Sequence, residues 1–460
     1  MKDASKDFKS VGLNKEMLDN LKSLGYLEMT PIQAQGLPFI LSDQDFMGQA
    51  NTGSGKTAAF ALGILSKLDV TNCVPQGLVL VPTRELAEQV ANEIRRLARF
   101  TNNIKVLALS GGSKEHTKIK SLKQGAHIIV GTSGRILKLL ETGMLRAHDI
   151  KVLVLDEADR LLELGSIEEI NRIAAFTPRN RQTMLFSATL PHGISKLSES
   201  IQDEDVACVT IDSQHQTNTI EKLFFKAVNK NDTLLQVLRT YNPESCIIFC
   251  NSKASCKKVA EYLNNKNMEA LQIHSDLEQQ DRTLFLLKFD NKSCRILVAT
   301  DLVSRGLDVK DVGAIVNYDL PVNQELFVHR IGRTGRAGKQ GLALSLYTDQ
   351  DSWMLENISA YLKIDCNVVE INIKAKIQSN VLVPSMSTIY ISGGRKDNLR
   401  PGDILGALTR DEGLKGVDVG KIHILELNSY VAVRHEKLDF AIEHLKLGKI
   451  KGKNFKVGKA

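Results

Sequence analysis

The sequence predicts an α/β protein in which two parallel-sheet domains in tandem are followed by a small third domain. Short apolar runs rich in β-branched residues alternate with polar, periodic stretches through most of the chain. A polar segment at residues 212–218 interrupts this alternation, which then restarts, and the order of elements changes again near residue 381. Continuous apolar runs separated by helices are typical of a parallel sheet that is covered on both faces.

The first domain is predicted over residues 1–212. Four apolar runs should form inner strands of its sheet: residues 77–81, 127–130, 152–155 and 184–186. Residues 85–100 have helical periodicity, because one face would carry Leu86, Val90, Ile94 and Leu97. Polar residues follow the strands, and in open parallel sheets ligands bind beyond the carboxyl ends of the strands.

The second domain is predicted over residues 219–370 on the same grounds. Its apolar runs lie at residues 246–249, 295–298 and 314–316. Polar residues again follow the strands, as at Asn251 and Thr300. Polar or charged clusters follow six predicted strands of the two domains. Ordinary turn chemistry explains one or two such clusters but not six on one edge, so we expect a ligand-binding edge in these sheets.

The third domain is predicted over residues 381–460 with the order βαββαβ. The predicted strands are residues 388–391, 421–427, 430–434 and 454–457, and the predicted helices are residues 401–409 and 437–447. Pro401 suits the first turn of a helix. This order of elements is the topology of an RNA-recognition motif.

Composition and charge exclude several classes of protein. No apolar run is long enough to cross a bilayer, and residues 1–7 lack the core of a signal peptide. The seven cysteines include no CxxC pair, so we expect reduced thiols and a cytoplasmic protein without membrane contact. Residues 381–460 carry 14 Lys or Arg against 9 Asp or Glu, which favours a polyanionic partner, although a solvated surface is the plainer alternative.

A phosphate-binding loop is predicted just before residue 58. Six consecutive residues form its pattern: Thr52, Gly53, Ser54, Gly55, Lys56 and Thr57. Ala50 replaces the first glycine of the general pattern. Glycines allow backbone N–H groups to close around phosphate oxygens. Lys56 is expected to reach the β- and γ-phosphates and Thr57 to ligate Mg²⁺, so the predicted cofactors are a nucleoside triphosphate and Mg²⁺.

Two acidic residues are predicted to complete the hydrolytic site. Asp156 and Glu157 directly follow the apolar run at residues 152–155. Asp156 would hold the metal through water, and Glu157 would orient or deprotonate the attacking water. Asp159 could instead cap a helix N-terminus, and for this residue both roles stay open.

The second domain supplies candidate cations for the same chemistry. Arg333 and Arg336 lie three residues apart in a glycine-punctuated stretch. They are predicted to stabilise the transferred phosphoryl group, as an arginine finger from a neighbouring domain does. A basic surface turn or a contact to a phosphate backbone would also fit this stretch.

Together these motifs resemble those of the DEAD-box RNA helicases over nearly the whole chain. The resemblance implies two RecA-like domains, ATP as the nucleotide and RNA as the partner. Phe8 and Gln33 resemble the motif with which the family reads adenine, so Phe8 would stack on the ring and Gln33 would contact its edge. A surface glutamine on a helix is the alternative for Gln33. Asp308 is implied to meet the ribose.

The resemblance also implies contacts to the RNA backbone. In the first domain these residues are Thr83, Arg84, Gly112, Thr132, Gly134 and Arg135, and in the second they are Asn251, Arg282 and Thr300. The family binds RNA mainly through phosphates and 2′-hydroxyls. Ser133 stands where the family usually has proline, and it would keep a hydroxyl for a phosphate. Residues 187–189 correspond to the segment that links hydrolysis with unwinding.

The third domain resembles the carboxyl-terminal domain of the bacterial DbpA subfamily of these helicases. Residues 400–408 and 448–453 carry this resemblance. It implies recognition of a hairpin in 23S ribosomal RNA and a role in assembly of the large ribosomal subunit. Tyr390 and Tyr430 stand at base-stacking positions of the sheet, but both could be packing residues. The alternative binding surface is formed by basic loops that contain Arg395, Lys396, Lys449, Lys451 and Lys453.

The predicted function is that of an ATP-dependent RNA helicase that couples ATP hydrolysis to local unwinding of RNA duplexes. Its third domain would target it to large-subunit ribosomal RNA and its precursors. Two alternatives stay open, a broader-specificity RNA chaperone and an ATP-gated RNA clamp that unwinds little. The sequence indicates no partner protein.

Overall fold

The computed structural model describes residues 6–51, 53–101, 103–109, 115–190, 192–211, 220–301, 312–335, 340–370, 383–410 and 413–460. The chain divides into two compact units. One unit contains a parallel sheet, and the other contains a second parallel sheet together with a small antiparallel sheet. No helix within these ranges is long and apolar enough to cross a membrane.

The first sheet is parallel throughout. Its strands are β1 (Phe46–Gln49), β2 (Gly77–Leu80), β3 (Val106–Leu109), β4 (Ile128–Gly131), β5 (Val152–Leu155), β6 (Gln182–Ser187) and β7 (Ala207–Thr210). Their order across the sheet is β3-β4-β2-β5-β6-β1-β7. Successive residues of β2, such as Leu78 and Val79, pack in different hydrophobic clusters because they point to opposite faces. Burial on both faces explains why these strands are continuous apolar runs.

The helices of this unit are α1 (Lys15–Ser23), α2 (Pro31–Leu41), α3 (Lys56–Ser66), α4 (Arg84–Leu97), α5 (Glu115–Lys123), α6 (Ser133–Glu141), α7 (Ala158–Glu163), α8 (Ile167–Ala175) and α9 (His192–Ile201). Helix α4 lies where a helix is predicted at residues 85–100, and its buried face carries the four expected apolar residues. Thr83 caps this helix, because its hydroxyl accepts a hydrogen bond from the backbone N–H of Leu86.

The second sheet is also parallel. Its strands are β8 (Ile220–Lys226), β9 (Cys246–Cys250), β10 (Ala270–Ile273), β11 (Ile296–Thr300), β12 (Ala314–Asn317), β13 (Gly341–Tyr347) and β14 (Asn367–Val368), in the order β10-β11-β9-β12-β13-β8-β14. Its helices are α10 (Lys230–Tyr241), α11 (Lys253–Asn265), α12 (Gln279–Asp290), α13 (Gln324–Ile331) and α14 (Ser352–Leu362). The predicted tandem of parallel-sheet domains is therefore confirmed.

The third sheet is antiparallel and confirms the predicted order βαββαβ. Its strands are β15 (Met386–Ile391), β16 (Val419–Ile424), β17 (Ser429–Arg434) and β18 (Val457–Lys459), and its helices are α15 (Pro401–Thr409) and α16 (Leu438–Leu447). The order across the sheet is β16-β17-β15-β18. Apolar residues of one face, including Ile389 and Val431, pack with both helices in a single core. The last strand begins at Val457, three residues later than predicted.

Candidate functional site

The strand order of the first sheet brings the predicted site residues to one edge. All its strands are parallel, so their carboxyl ends lie at the same edge. Strand β6 lies between β1 and β5, which places Ser187 between the loop after β1 and Asp156 after β5. Strand β2 is next to β4, which places Thr83 beside Thr132. The predicted nucleotide residues and the predicted RNA residues therefore occupy neighbouring halves of this edge.

Two glycines shape the loop after β1. Gly53 and Gly55 have φ of 84° and 95°, a region that residues with a Cβ rarely adopt. A Cβ on Gly55 would lie 2.5 Å from Gln33 Nε2, so this position has no room for a side chain. The loop leads into the N-terminus of α3, where backbone N–H groups and the helix dipole favour an anion. Its geometry fits a phosphate group. Thr52 lies outside the described residues.

Lys56 is the first residue of α3, and its side chain is buried. Its Nζ donates hydrogen bonds to the carbonyl oxygens of Ala50 and, at 3.3 Å, Asn51. The ammonium group is thus held against the same loop that would surround a phosphate. Because the ammonium group is already buried, most of the free-energy cost of removing it from water is incurred on folding and not on binding, which favours binding of an anion.

Asp156 is a buried carboxyl group, 4% exposed, whose Oδ1 accepts a hydrogen bond from Glu157 N at 3.0 Å. Burial raises the pKa of Asp156 to about 7, although the nearby Lys56 acts in the opposite direction. A divalent cation would favour the ionised form. Asp156 and the half-buried Thr57 therefore fit the predicted metal ligands.

The described residues contain no group of three or more His, Cys, Asp or Glu that could hold a metal ion. Mg²⁺ does not need such a group, because it usually keeps several waters and binds one or two carboxylates together with substrate phosphates. A metal site made from Thr57, Asp156 and a nucleotide is consistent with this chemistry.

Glu157 has a left-handed backbone, with φ 52° and ψ 52°, at the N-cap position of α7. Non-glycine residues in this region are uncommon and concentrate at functional sites. The capping position left open for Asp159 is held by Glu157, while Asp159 lies in the first turn of α7, where an acidic residue interacts favourably with the helix dipole. The carboxylate of Asp159 also accepts hydrogen bonds from Thr189 N at 3.3 Å and Thr189 Oγ1 at 3.2 Å. Residues 187–189 are thus joined to the acidic segment after β5.

Gln33 is buried and contacts the phosphate loop directly. Its Nε2 donates to Gly55 O at 3.0 Å, and its Oε1 accepts from Thr30 N at 2.9 Å. A glutamine amide has two donors and two acceptor positions, so one of each is left for an adenine edge. The hydroxyl of Thr30 is buried beside it, without a hydrogen-bond partner among the described residues. Phe8 is buried in the hydrophobic core of this unit, and its stacking on adenine stays a prediction.

The predicted RNA residues of the first unit lie at helix N-termini on the other half of the edge. Thr83 caps α4 and Thr132 occupies the N-cap position of α6, while Arg84 and Gly134 are exposed and Arg135 is half-buried. Backbone N–H groups at helix N-termini are suited to phosphate contacts. Gly112 lies outside the described residues.

Ser133 does not present its hydroxyl as expected. The side chain is buried, and its Oγ donates a hydrogen bond to Ser166 Oγ at 3.1 Å. The expectation that this hydroxyl is available to a phosphate is therefore wrong. The residue serves instead to attach the start of α6 to the segment before α8.

Arg330 organises the corresponding edge of the second parallel sheet. It is 1% exposed, and its guanidinium donates to Asp301 Oδ1 at 2.7 Å, Asp301 Oδ2 at 2.5 Å and Asn251 Oδ1 at 2.7 Å. It also stacks over the ring of Phe249, with 5.1 Å from Cζ to the ring centroid. Sequence reasoning missed Arg330 as a site residue. The available signal was an arginine three residues before Arg333, in a stretch that also contains Phe327, Val328 and Ile331.

The other predicted residues of this unit lie near Arg330 or at the same edge. Asn251 follows β9 and donates from Nδ2 to Leu320 O at 2.9 Å, and Thr300 ends β11. Arg282 is in the first turn of α12, and Arg333 is buried just after α13. Asp308 and Arg336 lie outside the described residues.

The five predicted basic residues of the third domain are all exposed: Arg395, Lys396, Lys449, Lys451 and Lys453. Lys451 Nζ donates to Asn398 O at 2.8 Å, which ties the two basic loops together. Tyr390 and Tyr430 lie opposite each other on neighbouring strands, with ring centroids 5.7 Å apart in an edge contact. The basic loops and the aromatic pair are thus two separate candidate surfaces.

Known families match part of each of the three domains. Residues 30–197 match the family described as DEAD/DEAH box helicase, and residues 229–338 match the helicase conserved C-terminal domain. Residues 388–459 match the DbpA RNA binding domain. Each match falls on one of the three predicted domains.

Individual relatives extend the similarity to nearly the whole chain. The ATP-dependent RNA helicase DbpA of Escherichia coli (strain K12) is 46% identical over 442 residues, which cover 96% of this chain and 96% of the relative. The ATP-dependent RNA helicase DbpA of Bacillus subtilis (strain 168) is 35% identical, with coverage of 98% and 99%.

Among solved structures, S. cerevisiae Dbp5 bound to RNA and ADP BeF3 is similar with a TM-score of 0.73 and 29% identity, covering 80% of this chain and 96% of that one. The two parallel-sheet domains are therefore RecA-like. With this fold, these motifs and full-length relatives, the chain belongs to the DEAD-box family of ATP-dependent RNA helicases, within its DbpA subfamily, and is an RNA-dependent ATPase and RNA helicase.

Proposed function

We propose that the third domain directs this helicase to 23S ribosomal RNA, so that the enzyme unwinds RNA in precursors of the large ribosomal subunit. The observation that carries this proposal is the third domain itself, which matches the DbpA RNA binding domain over residues 388–459. Its two basic loops stay exposed on the folded domain. Exposed lysines and arginines supply the phosphate contacts that dominate affinity for RNA. Ribosomal RNA as the target also favours a cytoplasmic location.

In the first RecA-like domain, Lys56 and the backbone N–H groups after β1 bind the phosphates of ATP. Thr57 and Asp156 hold Mg²⁺, which when bound neutralises charge on the phosphates. Gln33 uses one N–H donor for Gly55 O and one acceptor position for Thr30 N. Its second donor and second acceptor position bind the edge of adenine.

Glu157 positions the attacking water and accepts its proton. It directly follows Asp156 after β5, and its backbone N–H donates to Asp156 Oδ1 at 3.0 Å. A carboxylate at this place suits general-base chemistry. Arg333 and Arg336 keep the role predicted from the sequence, which is to stabilise charge on the transferred phosphoryl group.

RNA lies along the half of the edge formed after β2 and β4. Thr83, Thr132 and Gly134 offer backbone and hydroxyl contacts to phosphates, and Arg84 and Arg135 offer charge. In the second RecA-like domain, Asn251, Arg282 and Thr300 are the proposed contacts to the RNA backbone. Contacts to the RNA backbone do not distinguish one base sequence from another, so a separate domain is needed to select the RNA.

The test is the ATPase rate of the full chain against a panel of RNAs at one fixed salt concentration, because phosphate contacts make affinity strongly salt-dependent. The panel contains a 23S fragment with a single-stranded extension, a 16S fragment of equal length, an unstructured RNA and the DNA copy of the 23S fragment. We expect the 23S fragment to reach half-maximal stimulation at a concentration about 100-fold lower than the other RNAs, within the range by which specific binding exceeds non-specific binding.

Equal stimulation by every RNA would contradict ribosomal targeting and favour a broader RNA chaperone. The same RNAs, annealed to a short complementary strand, test the helicase activity in a single turnover. Stimulated hydrolysis without strand separation would favour an ATP-gated clamp.

A further inference from the structure

Two buried serines join the start of α6 to the turn between α7 and α8. Ser133 is the first residue of α6, and Ser166 directly precedes α8. They are 5% and 7% exposed, and Ser133 Oγ donates a hydrogen bond to Ser166 Oγ at 3.1 Å. A hydrogen bond between two buried hydroxyls holds both helix starts together, because separating the hydroxyls would leave polar groups without partners in the interior.

The hydroxyl of Ser166 does not have the role that its position favours. Ser166 holds the N-cap position of α8, where a serine hydroxyl ordinarily accepts a hydrogen bond from a backbone N–H of the first turn. Its side chain makes no such capping bond and contacts Ser133 instead. The hydroxyl therefore stabilises the contact between two helices and not the helix that it begins.

The first turns of α6 and α8 are also in close contact beside this pair. A Cβ on Gly134 would lie 3.2 Å from Glu169 Oε1, so a side chain at this position would displace the carboxylate. Ile136 of α6 and Ile170 of α8 are fully buried in the same hydrophobic cluster. Because packed interiors leave little space for independent movement, a shift at the start of α6 would move the start of α8.

Ser166 is connected through the backbone to Glu157, the proposed general base. Ser166 N donates to Leu161 O at 3.0 Å, and Leu161 N donates to Glu157 O at 3.2 Å. Both bonds involve α7, a helix of only six residues. The left-handed backbone of Glu157 persists only where the surrounding structure holds it. Three consecutive hydrogen bonds thus lead from Glu157 through Leu161 and Ser166 to Ser133.

The proposed RNA contacts of α6 lie on both sides of Ser133 in the chain. Thr132 precedes it at the N-cap position, and Gly134 and Arg135 follow it in the first helical turn. Thr132 makes no side-chain capping bond to α6. A phosphate at this helix N-terminus would therefore contact the same turn that Ser133 attaches to Ser166.

We propose that Ser133 and Ser166 are positioning residues through which RNA at the start of α6 sets the position of Glu157 for ATP hydrolysis. This inference rests on the proposed RNA contacts of Thr132, Gly134 and Arg135. A small displacement of a group that acts in the reaction lowers the rate strongly, so the pair controls the RNA-stimulated rate and not the affinity for ATP.

Alanine variants of the two serines, alone and together, test this proposal in the full chain. The measurements are the ATPase rate without RNA, the rate at saturating unstructured RNA and the RNA concentration that gives half-maximal stimulation. We expect Ser133→Ala and Ser166→Ala each to lower the RNA-saturated rate about tenfold, the effect on a rate of losing one buried hydrogen bond. The rate without RNA and the KM for ATP should stay within about twofold of the original values.

The double variant distinguishes positioning from general destabilisation. It should lose no more of the RNA-saturated rate than either single variant, because all three remove the same hydrogen bond. Ser200→Ala is the matched control, since Ser200 Oγ donates to Asn171 Oδ1, a later residue of α8, at 2.9 Å. This variant should change neither rate.

Three results would overturn the proposal: an unchanged RNA-saturated rate in both single variants, equal losses with and without RNA, or additive losses in the double variant. A change confined to the half-maximal RNA concentration would also overturn it, because the pair would then act on RNA binding alone. Arg135→Ala in the original chain separates this proposal from the one on which it rests. If Arg135→Ala leaves the half-maximal RNA concentration unchanged, the proposed RNA contact at α6 fails instead.

Discussion

The carboxylate of Asp159 accepts two hydrogen bonds from Thr189, one from the backbone N–H at 3.3 Å and one from the hydroxyl at 3.2 Å. Asp159 lies in the first turn of α7, two residues after the proposed catalytic Glu157, and Thr189 follows β6. Ser187 completes the connection, since its Oγ accepts from Asp159 N at 3.3 Å and donates to Thr189 O at 2.5 Å. These hydrogen bonds connect the acidic segment of the nucleotide site directly to residues 187–189, so a shift of that segment would alter the position of those residues.

Thr189→Val should weaken strand separation more than ATP hydrolysis. Valine keeps the size of the side chain and removes its hydrogen bond to Asp159, a loss of about 1.5 kcal/mol or about tenfold in a coupled rate. Single-turnover strand displacement and RNA-stimulated ATPase, measured on the same preparation, check this. Thr177→Val is the control, because Thr177 is a buried threonine whose hydroxyl donates locally to Ala174 O. Equal losses of both activities would contradict the proposed link.

Lys56→Ala should abolish ATP binding at concentrations that saturate the original protein. The change removes the one buried ammonium that contacts the loop carbonyls of Ala50 and Asn51 in the described part of the chain. Equilibrium titration with a fluorescent ATP analogue measures it. Lys67→Ala is the matched control: Lys67 caps the other end of the same helix and donates to Ile40 O at 3.1 Å. Retained binding in Lys56→Ala would remove this lysine from the phosphate site.

Glu157→Gln should bind ATP and RNA normally and hydrolyse ATP about 10²–10⁴-fold more slowly, because the amide cannot accept a proton. Rapid mixing under single-turnover conditions separates hydrolysis from product release. Glu163→Gln changes a half-exposed glutamate of the same helix that pairs with Arg160, and it should keep full activity. Normal turnover of Glu157→Gln would assign proton transfer to another group.

Arg330→Ala should destabilise the second unit by about 3–5 kcal/mol, because it leaves the carboxylate of Asp301 and the amide of Asn251 without their buried partner. Urea unfolding followed by circular dichroism measures this. Arg239→Ala alters an exposed arginine of α10 and should change stability by no more than about 0.5 kcal/mol. A similarly small effect of Arg330→Ala would show that the hydrogen bonds of Arg330 contribute little to the free energy of unfolding.

Local sequence signals predicted most of the fold. Pro401 and the apolar pattern after it predicted α15 with the bounds that the structure has, since proline fits the first helical turn. Asp156 and Lys56 were predicted at one site because carboxyl ends of parallel strands share an edge. These features depend on residues close together in the chain or on a general rule of sheet topology.

Long-range packing accounts for what the sequence could not predict. The Ser133 hydroxyl bonds to Ser166, and Arg330 bonds to Asn251 and Asp301, which are distant in the chain. The packing of the third sheet against the second parallel-sheet domain likewise joins Asn291 to Thr388. No periodicity or motif encodes such partners, because each depends on which surfaces meet after folding.

The role of the third domain in selecting RNA is tested by comparing the full chain with a form that ends at residue 380. The measurement is the concentration of the 23S fragment that half-maximally stimulates ATP hydrolysis, at one salt concentration. We expect the shortened protein to keep its maximal rate on unstructured RNA and to lose its preference for the 23S fragment, a shift of about 100-fold. An undiminished preference in the shortened protein would contradict this role of the third domain, because recognition would then lie in the helicase core.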